Sequence, residues 1–337
     1  MKSSKHPVRR YSIFFFLTFI LVLSFSPEGA AFNFPAAGWH RGDAAFAQEN
    51  SRAALDKALD SVNPNIELDI IDFVDARGNR VGLVSHDYLM ERATGLPGAF
   101  GEKYNDVSEL PQNAANPQLP PQPFMTVVDL FELIKATKAR GVTPMVSLDM
   151  KEEGKNAEAF GKWVGEIIKQ YGYQDHVFAS SFFLNNVLPL KTACPECLTG
   201  GLVFNDHWAL RFLSDKYCSL DITPVSQWTF FLGFLGKKAY PLDFVLIQDD
   251  IFFKNPELAD YWKNKRHVKF VGVFAYNKNR AYTNAEWALL KKVDWIELDP
   301  PQMRQYINPT TIHNQFFPIL PVFVFDERDK PCDSSFV

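Results

Sequence analysis

The chain has 337 residues, 47% of them hydrophobic and 22% charged, with a formal net charge of -4. That length suits a single α/β barrel with insertions and allows a large core without disulfide staples. The 35 Lys and Arg are scattered, with no basic stripe and no aromatic-basic interleaving, which argues against a nucleic-acid partner.

The chain opens with Lys2, Lys5, Arg9 and Arg10, followed by an apolar run over 13–25. Ser26, Pro27 and Glu28 break the run, and Gly29-Ala30-Ala31 supplies small residues of the kind a signal peptidase reads. This predicts a cleaved signal peptide over 1–31 and a secreted or periplasmic protein whose remaining residues, 32–337, form one domain. An uncleaved signal acting as an anchor is the alternative, although the run is shorter than the roughly 20 residues that span a bilayer comfortably. No later segment is long and apolar enough for a transmembrane helix.

Beyond residue 36, short apolar runs alternate with stretches of helical spacing. Strands are expected at 36–39, 66–71, 81–85, 144–148, 177–180, 199–204, 244–247, 270–274 and 295–298. Helices are expected at 49–59, 127–136, 157–171, 183–190, 256–265 and 284–291. Such alternation implies parallel strands with helical crossovers, a TIM (β/α)8-type barrel. Nine strands are one too many. The turn Ala76-Arg77-Gly78-Asn79 is too short for a helical crossover, so 66–71 and 81–85 are expected to form a hairpin-like pair that distorts the barrel.

Two regions fall outside this pattern. Residues 97–123, rich in Pro, Gly, Asn and Gln, read as a long loop or small insertion. Residues 205–242 contain an aromatic, apolar stretch at 226–236, which is either a segment packed on the barrel or an exposed flap in peripheral contact with a membrane. The four cysteines, Cys194, Cys197, Cys218 and Cys332, allow three disulfide pairings, among which the sequence does not choose. Cys194-Pro195-Glu196-Cys197 closes a helix rather than opening one, unlike a redox motif, and Cys218 and Cys332 do not form the second pair that zinc would need.

Polar residues collect where strands end, which in a parallel barrel is the active-site rim. They are His40-Arg41-Gly42, Glu67 with Asp69, Ser85-His86-Asp87, Asp149 with Lys151, and Glu297 with Asp299. Glu67 and Asp69 alternate with Ile66, Leu68 and Ile70, so both carboxylates face one side of their strand. Asp149 adds a third. Three inward carboxylates suit an oxygen-liganded cation, Mg²⁺ or Ca²⁺; a structural network with Arg41 and Lys151 is the alternative. His40 and His86 suit acid–base work, Arg41 and Lys151 suit phosphate, and Asp87 either orients a histidine or caps the following loop.

In order, His40-Arg41-Gly42, Gln48-Glu49-Asn50-Ser51, Ile66-Glu67-Leu68-Asp69 and Ser85-His86-Asp87 resemble the motifs of the glycerophosphodiester phosphodiesterase family. Residues 90–95, Asp149-Met150-Lys151, Ser180-Ser181-Phe182 and 294–300 fall where the later family motifs are expected. The resemblance implies a TIM-barrel hydrolase that cleaves glycerophosphodiesters to sn-glycerol 3-phosphate and an alcohol. It makes His40 and His86 the acid–base pair, Glu67, Asp69 and Asp149 the ligands of one divalent cation, and Arg41 and Lys151 the phosphate-binding residues. Two departures stand out. Asp149 replaces the more usual Glu, and Phe274-Ala275-Tyr276-Asn277 replaces Trp-Thr-Val-Asn. Asp149 followed by Lys151 is similar instead to sphingomyelinase D-like phospholipases, which implies a phospholipid-derived substrate as one alternative. A catalytically inactive exported binding protein is the other.

Overall fold

The structure, a computed structural model, describes residues 37–87, 91–96, 98, 111–112, 118–152, 156–203, 242–265, 267–276 and 280–308. The expected signal at 1–31, the 226–236 stretch, Cys218, Cys332, Asn277 and most of 97–123 lie outside the described residues. In chain order the elements are β1 (Gly38–His40), α1 (Arg52–Leu59), β2 (Ile66–Ile71), β3 (Leu83–Val84), α2 (Glu91–Thr94), β4 (Pro111–Gln112), β5 (Gln122–Pro123), α3 (Val127–Ala139), β6 (Val146–Met150), α4 (Ala157–Tyr171), β7 (Val177–Ser181), α5 (Leu184–Ala193), β8 (Leu198–Val203), β9 (Phe244–Gln248), α6 (Asp249–Lys254), α7 (Leu258–Lys265), β10 (Phe270–Phe274), α8 (Asn284–Leu290), β11 (Trp295–Leu298) and α9 (Pro300–Ile307).

Eight of the strands close a parallel barrel. The order runs β1-β11-β10-β9-β8-β7-β6-β2, and β2 pairs back onto β1 through Trp39 with Ile66 and His40 with Glu67. Both faces of these strands are buried, so they read as apolar runs rather than strict alternations. In β2 the residues Ile66, Leu68 and Ile70 join the outer core under the helices, which turns Glu67 and Asp69 into the lumen.

The surplus strand is β3. It pairs antiparallel with only the tip of β2, Ile70 with Val84 and Ile71 with Leu83. The expected tight turn precedes it, with Asp75 Oδ1 accepting from the backbone N–H groups of Arg77 and Asn79 and with Gly78 at φ 82°. Because β3 runs back down from the rim, its C-terminal end returns toward the level of Asp69, and the Ser85 N–H donates to the Asp69 carbonyl. His86 therefore reaches the site from a hairpin arm, not from the end of a parallel strand as the sequence pattern suggested.

The lower lumen is filled by aromatic rings. Phe178 meets Phe244, Phe270 and Trp295 edge-on at 5.2, 5.5 and 5.1 Å, while Phe244 and Phe270 stack at 4.4 Å. Glycines on neighbouring strands leave the room they need. A Cβ on Gly38 would lie 2.5 Å from Trp295, and one on Gly200 would lie 2.3 Å from Phe244.

Helix ends follow local chemistry. Ser51 caps α1, and Thr126 with Asp129 and Thr283 with Glu286 form capping boxes on α3 and α8. The expected helix at 49–59 starts only at Arg52 for this reason. Three helices, α2, α6 and α9, were not expected. The last begins with Pro300 and Pro301, which look like breakers but fit a first helical turn. Cys194 and Cys197 form a disulfide where α5 ends and β8 begins. Among the described residues no helix is long and apolar enough to cross a membrane.

The plug yields a prediction in two directions. Gly200→Ala should overpack the ring stack and cost about 1–3 kcal/mol. Phe244→Ala should leave a cavity and cost about 3–5 kcal/mol. Urea unfolding midpoints measure both; an unchanged midpoint for Gly200→Ala would contradict the packing described here.

Candidate active site

The C-terminal ends of the parallel strands, together with the β3 arm, bring the candidate catalytic, metal-binding and phosphate-binding side chains to one region. His40, Arg41, Glu67, His86, Asp149 and Lys151 line a single cavity of about 360 Å³, with Glu297 also in its wall. Asp69 sits behind them, 1% exposed.

Position follows from register. Asp69 lies opposite Asp149 on β2 and β6, so both carboxylates face the lumen at one level. Glu67, two residues earlier, reaches the same level with its longer arm: an oxygen from each of the three lies within 4.8 Å of the others. Asn50 then fixes Asp69 from both sides. Its Nδ2 donates to Asp69 Oδ2 at 2.9 Å, and its Oδ1 accepts from the Asp69 backbone N–H at 3.2 Å. Asn50 and Arg41 both hold left-handed backbone conformations, φ 59° and 60°, which are uncommon outside glycine and mark a loop bent for a purpose. The bend lets the Arg41 N–H donate to Glu67 Oε2 at 3.1 Å.

Arg41 and Lys151 share the carboxylates. Arg41 Nε lies 2.8 Å from Asp69 Oδ2, and its Nη1 donates to Glu49 at 3.2 Å. Lys151 Nζ is 3.2 Å from Asp69 Oδ1 and also pairs with Asp149. The structural network that the sequence left open is thus present around Asp69. It does not satisfy all three acids. Among the described residues, Asp149 Oδ1 is buried with no hydrogen-bond partner, and Glu67 has no Lys or Arg side chain in ion-pair contact. An orphaned buried carboxylate oxygen beside two more carboxylates is the environment that a hard divalent cation completes. The residues present therefore fit such an ion.

The electrostatics agree. Burial pushes Glu67 well above the usual carboxylate range, and the neighbouring Asp69 and Glu297 push it further. Burial pushes Asp149 up as well, against the pull of Lys151. For Asp69 burial also acts upward, but Arg41 and Lys151 outweigh it and hold the group well below its ordinary value. Burial raises Glu297 to about 8 despite hydrogen bonds from Ser147 and Trp295.

The two histidines are each oriented by an aspartate. His40 Nδ1 lies 2.8 Å from Asp299 Oδ1, which leaves Nε2 toward the cavity, 3.7 Å from Glu67 Oε2. Burial lowers the His40 pKa, outweighing the upward pull of Asp299. His86 Nδ1 lies 2.6 Å from Asp87 Oδ1, which makes Asp87 an orienter of histidine. His86 is the more open ring, its side chain 32% exposed.

Sequence reasoning placed Asp299 and Glu297 at the rim without roles, and it quoted Asn50 only within a motif. A usable signal was the alternation Trp295, Glu297, Asp299, which puts all three on the lumen face. Asp299 also occupies the N-cap of α9 without making a side-chain cap, because its carboxylate is turned to His40.

No family model matches the chain, and no curated protein matches it. Solved structures do. A phosphodiesterase of Oleispira antarctica in complex with its product sn-glycerol 3-phosphate is 18% identical, with a TM-score of 0.55 over 82% of this chain and 97% of that one. The glycerophosphodiester phosphodiesterases of Agrobacterium tumefaciens and Thermotoga maritima are 20% and 18% identical, with TM-scores of 0.54 and 0.51, each over 80% of this chain and 97% of theirs. At these identities the likeness concerns architecture: the chain has the closed α/β TIM barrel that these phosphodiesterases adopt.

Proposed function

We propose that the chain is an exported glycerophosphodiester phosphodiesterase that uses one divalent cation, Mg²⁺ or Ca²⁺, held by Glu67, Asp69 and Asp149. The observation that carries this reading is the orphaned Asp149 Oδ1 in a three-carboxylate cluster, in a cavity that also holds two aspartate-oriented histidines and two cationic side chains. The activities named for the structural neighbours support it, and the leader pattern at 1–31 supports export.

When bound, such an ion supplies a positive charge that polarises the phosphoryl oxygens. The chain's own groups do the rest. Arg41 and Lys151 stand at the cavity wall, where a phosphate oxygen can take their donors in place of part of the carboxylate network. His40 carries its proton on Nδ1 toward Asp299, so Nε2 accepts the proton of the attacking oxygen, which is either water or the neighbouring glycerol hydroxyl. The imidazolium that forms is stabilised by Asp299. His86, held by Asp87 nearer to solvent, protonates the departing alcohol.

A second reading, a phospholipase working at a lipid surface, draws on the Lys151–Asp149 contact, on exposed Phe46 and Tyr276, and on the aromatic 226–236 stretch. Liposome co-sedimentation together with lysophospholipid cleavage separates it from the first.

His40→Ala and His86→Ala should each lower turnover of glycerophosphocholine by about 10²–10⁴-fold while the melting temperature stays within a few degrees of wild type. Near-normal rates in either variant would remove that histidine from the mechanism. Asp299→Asn should also lower kcat, with little change in KM, because an amide no longer fixes the His40 tautomer; an unchanged kcat would make Asp299 merely structural.

A further inference from the structure

Glu297 has no part in the chemistry above, yet it is a carboxylate only 3% exposed in the wall of the reaction cavity. Two donors fix it, Ser147 Oγ–H at 2.7 Å and Trp295 Nε1–H at 3.2 Å, and both reach Oε1. Oε2 takes neither of these donors, and Glu297 lines the cavity. A carboxylate oxygen in so dry a place requires a donor or a cation. The cation site is not its partner, because the acids close enough to share an ion are Glu67, Asp69 and Asp149.

Depth indicates what the donor is. Ser147, which holds Glu297 from across the lumen, precedes Asp149 by two residues, about 6.6 Å of strand. Glu297 therefore lies beneath the level at which a phosphate would meet Asp149, Arg41 and Lys151. The opposite end of the cavity is open and aromatic, with Tyr276 57% exposed. A phosphodiester bound at the middle level sends one arm to this mouth and the other down to the floor.

Resting on the phosphodiesterase reading, we infer that Glu297 is a substrate-binding residue whose cavity-facing oxygen accepts a hydrogen bond from the terminal hydroxyl of the glycerol arm. The site thereby selects glycerol phosphodiesters over those whose floor arm ends in a methyl group. The hydroxyl next to the phosphorus-bearing carbon is left for the reaction centre.

The test compares kcat/KM at about pH 9, where Glu297, raised to about 8 by burial, is ionised, for glycerophosphocholine and for the phosphocholine ester of propane-1,2-diol, which lacks only the terminal hydroxyl. Wild type should prefer the glycerol compound by about ten- to a hundredfold, the range of one hydrogen bond to a carboxylate. Glu297→Gln keeps Oε1 for Ser147 and Trp295 but puts an amide nitrogen, which cannot accept, where Oε2 was; Glu297→Met removes both oxygens. The preference should fall to near unity in each. Because each ratio is taken within one variant, a general loss of activity cancels. Equal rates in wild type, or an undiminished preference in both variants, overturn the inference while leaving the reaction in place. Should wild type hydrolyse neither compound, the reaction reading fails by itself. The inference is then decided by thermal shift with sn-glycerol 3-phosphate against propane-1,2-diol 1-phosphate. A larger shift for the first that disappears in Glu297→Gln sustains it, and equal shifts in wild type overturn it.

Discussion

Like charges brought together in a dry barrel repel one another and lose hydration, and the upper lumen here is arranged around that cost. Glu67, Asp69 and Asp149 are each buried, and alternation along β2 and β6 gives none of them a way out. Their neighbours answer the problem in part. Asp69 takes Arg41, Lys151 and Asn50, and it stays ionised as a result. Glu67 and Asp149 are pushed toward their neutral forms, and one Asp149 oxygen has no partner among the described residues. Apolar residues of similar volume in place of these three acids would avoid that cost; the acids make sense as a cation site whose ligands are held in place beforehand.

Holding those ligands in place depends on what lies beneath them. The plug of Phe178, Phe244, Phe270 and Trp295 closes the lower lumen, and glycines on adjacent strands make its fit possible. Trp295 links the two layers directly, since its ring packs in the plug while its Nε1–H donates to Glu297 in the cavity wall. The hairpin arm of β3 performs a related task at the rim. By folding back on the tip of β2 it brings His86 to the site, where that ring is more exposed than His40. The two histidines thus differ in environment, one buried and one half-open.

Much of this was legible in the residues. Strand positions were readable because buried parallel strands are apolar runs, and the excess strand was placed by the shortness of its turn. The lumen-facing acids followed from period-two spacing within a run of Ile and Leu. What remained hidden was hidden for physical reasons. The Asp299–His40 bond joins residues 259 positions apart, and no local pattern encodes barrel closure. The α9 helix was masked by its two prolines, which break a helix interior but favour its first turn. Glu297 reads as one more strand-end acid until register places it opposite Gly38 and in reach of Ser147.

The central claim is that the three carboxylates hold one divalent cation on which phosphodiester cleavage depends. Calorimetric titration of EDTA-stripped protein with Mg²⁺ and with Ca²⁺, with glycerol 3-phosphate release from glycerophosphocholine followed at each addition, tests it most directly. The account predicts a single site for one of these ions, loss of release in the stripped protein, and recovery in step with occupancy. Release that persists unchanged in EDTA, or an ion that binds as well to Asp149→Asn as to wild type, would contradict it.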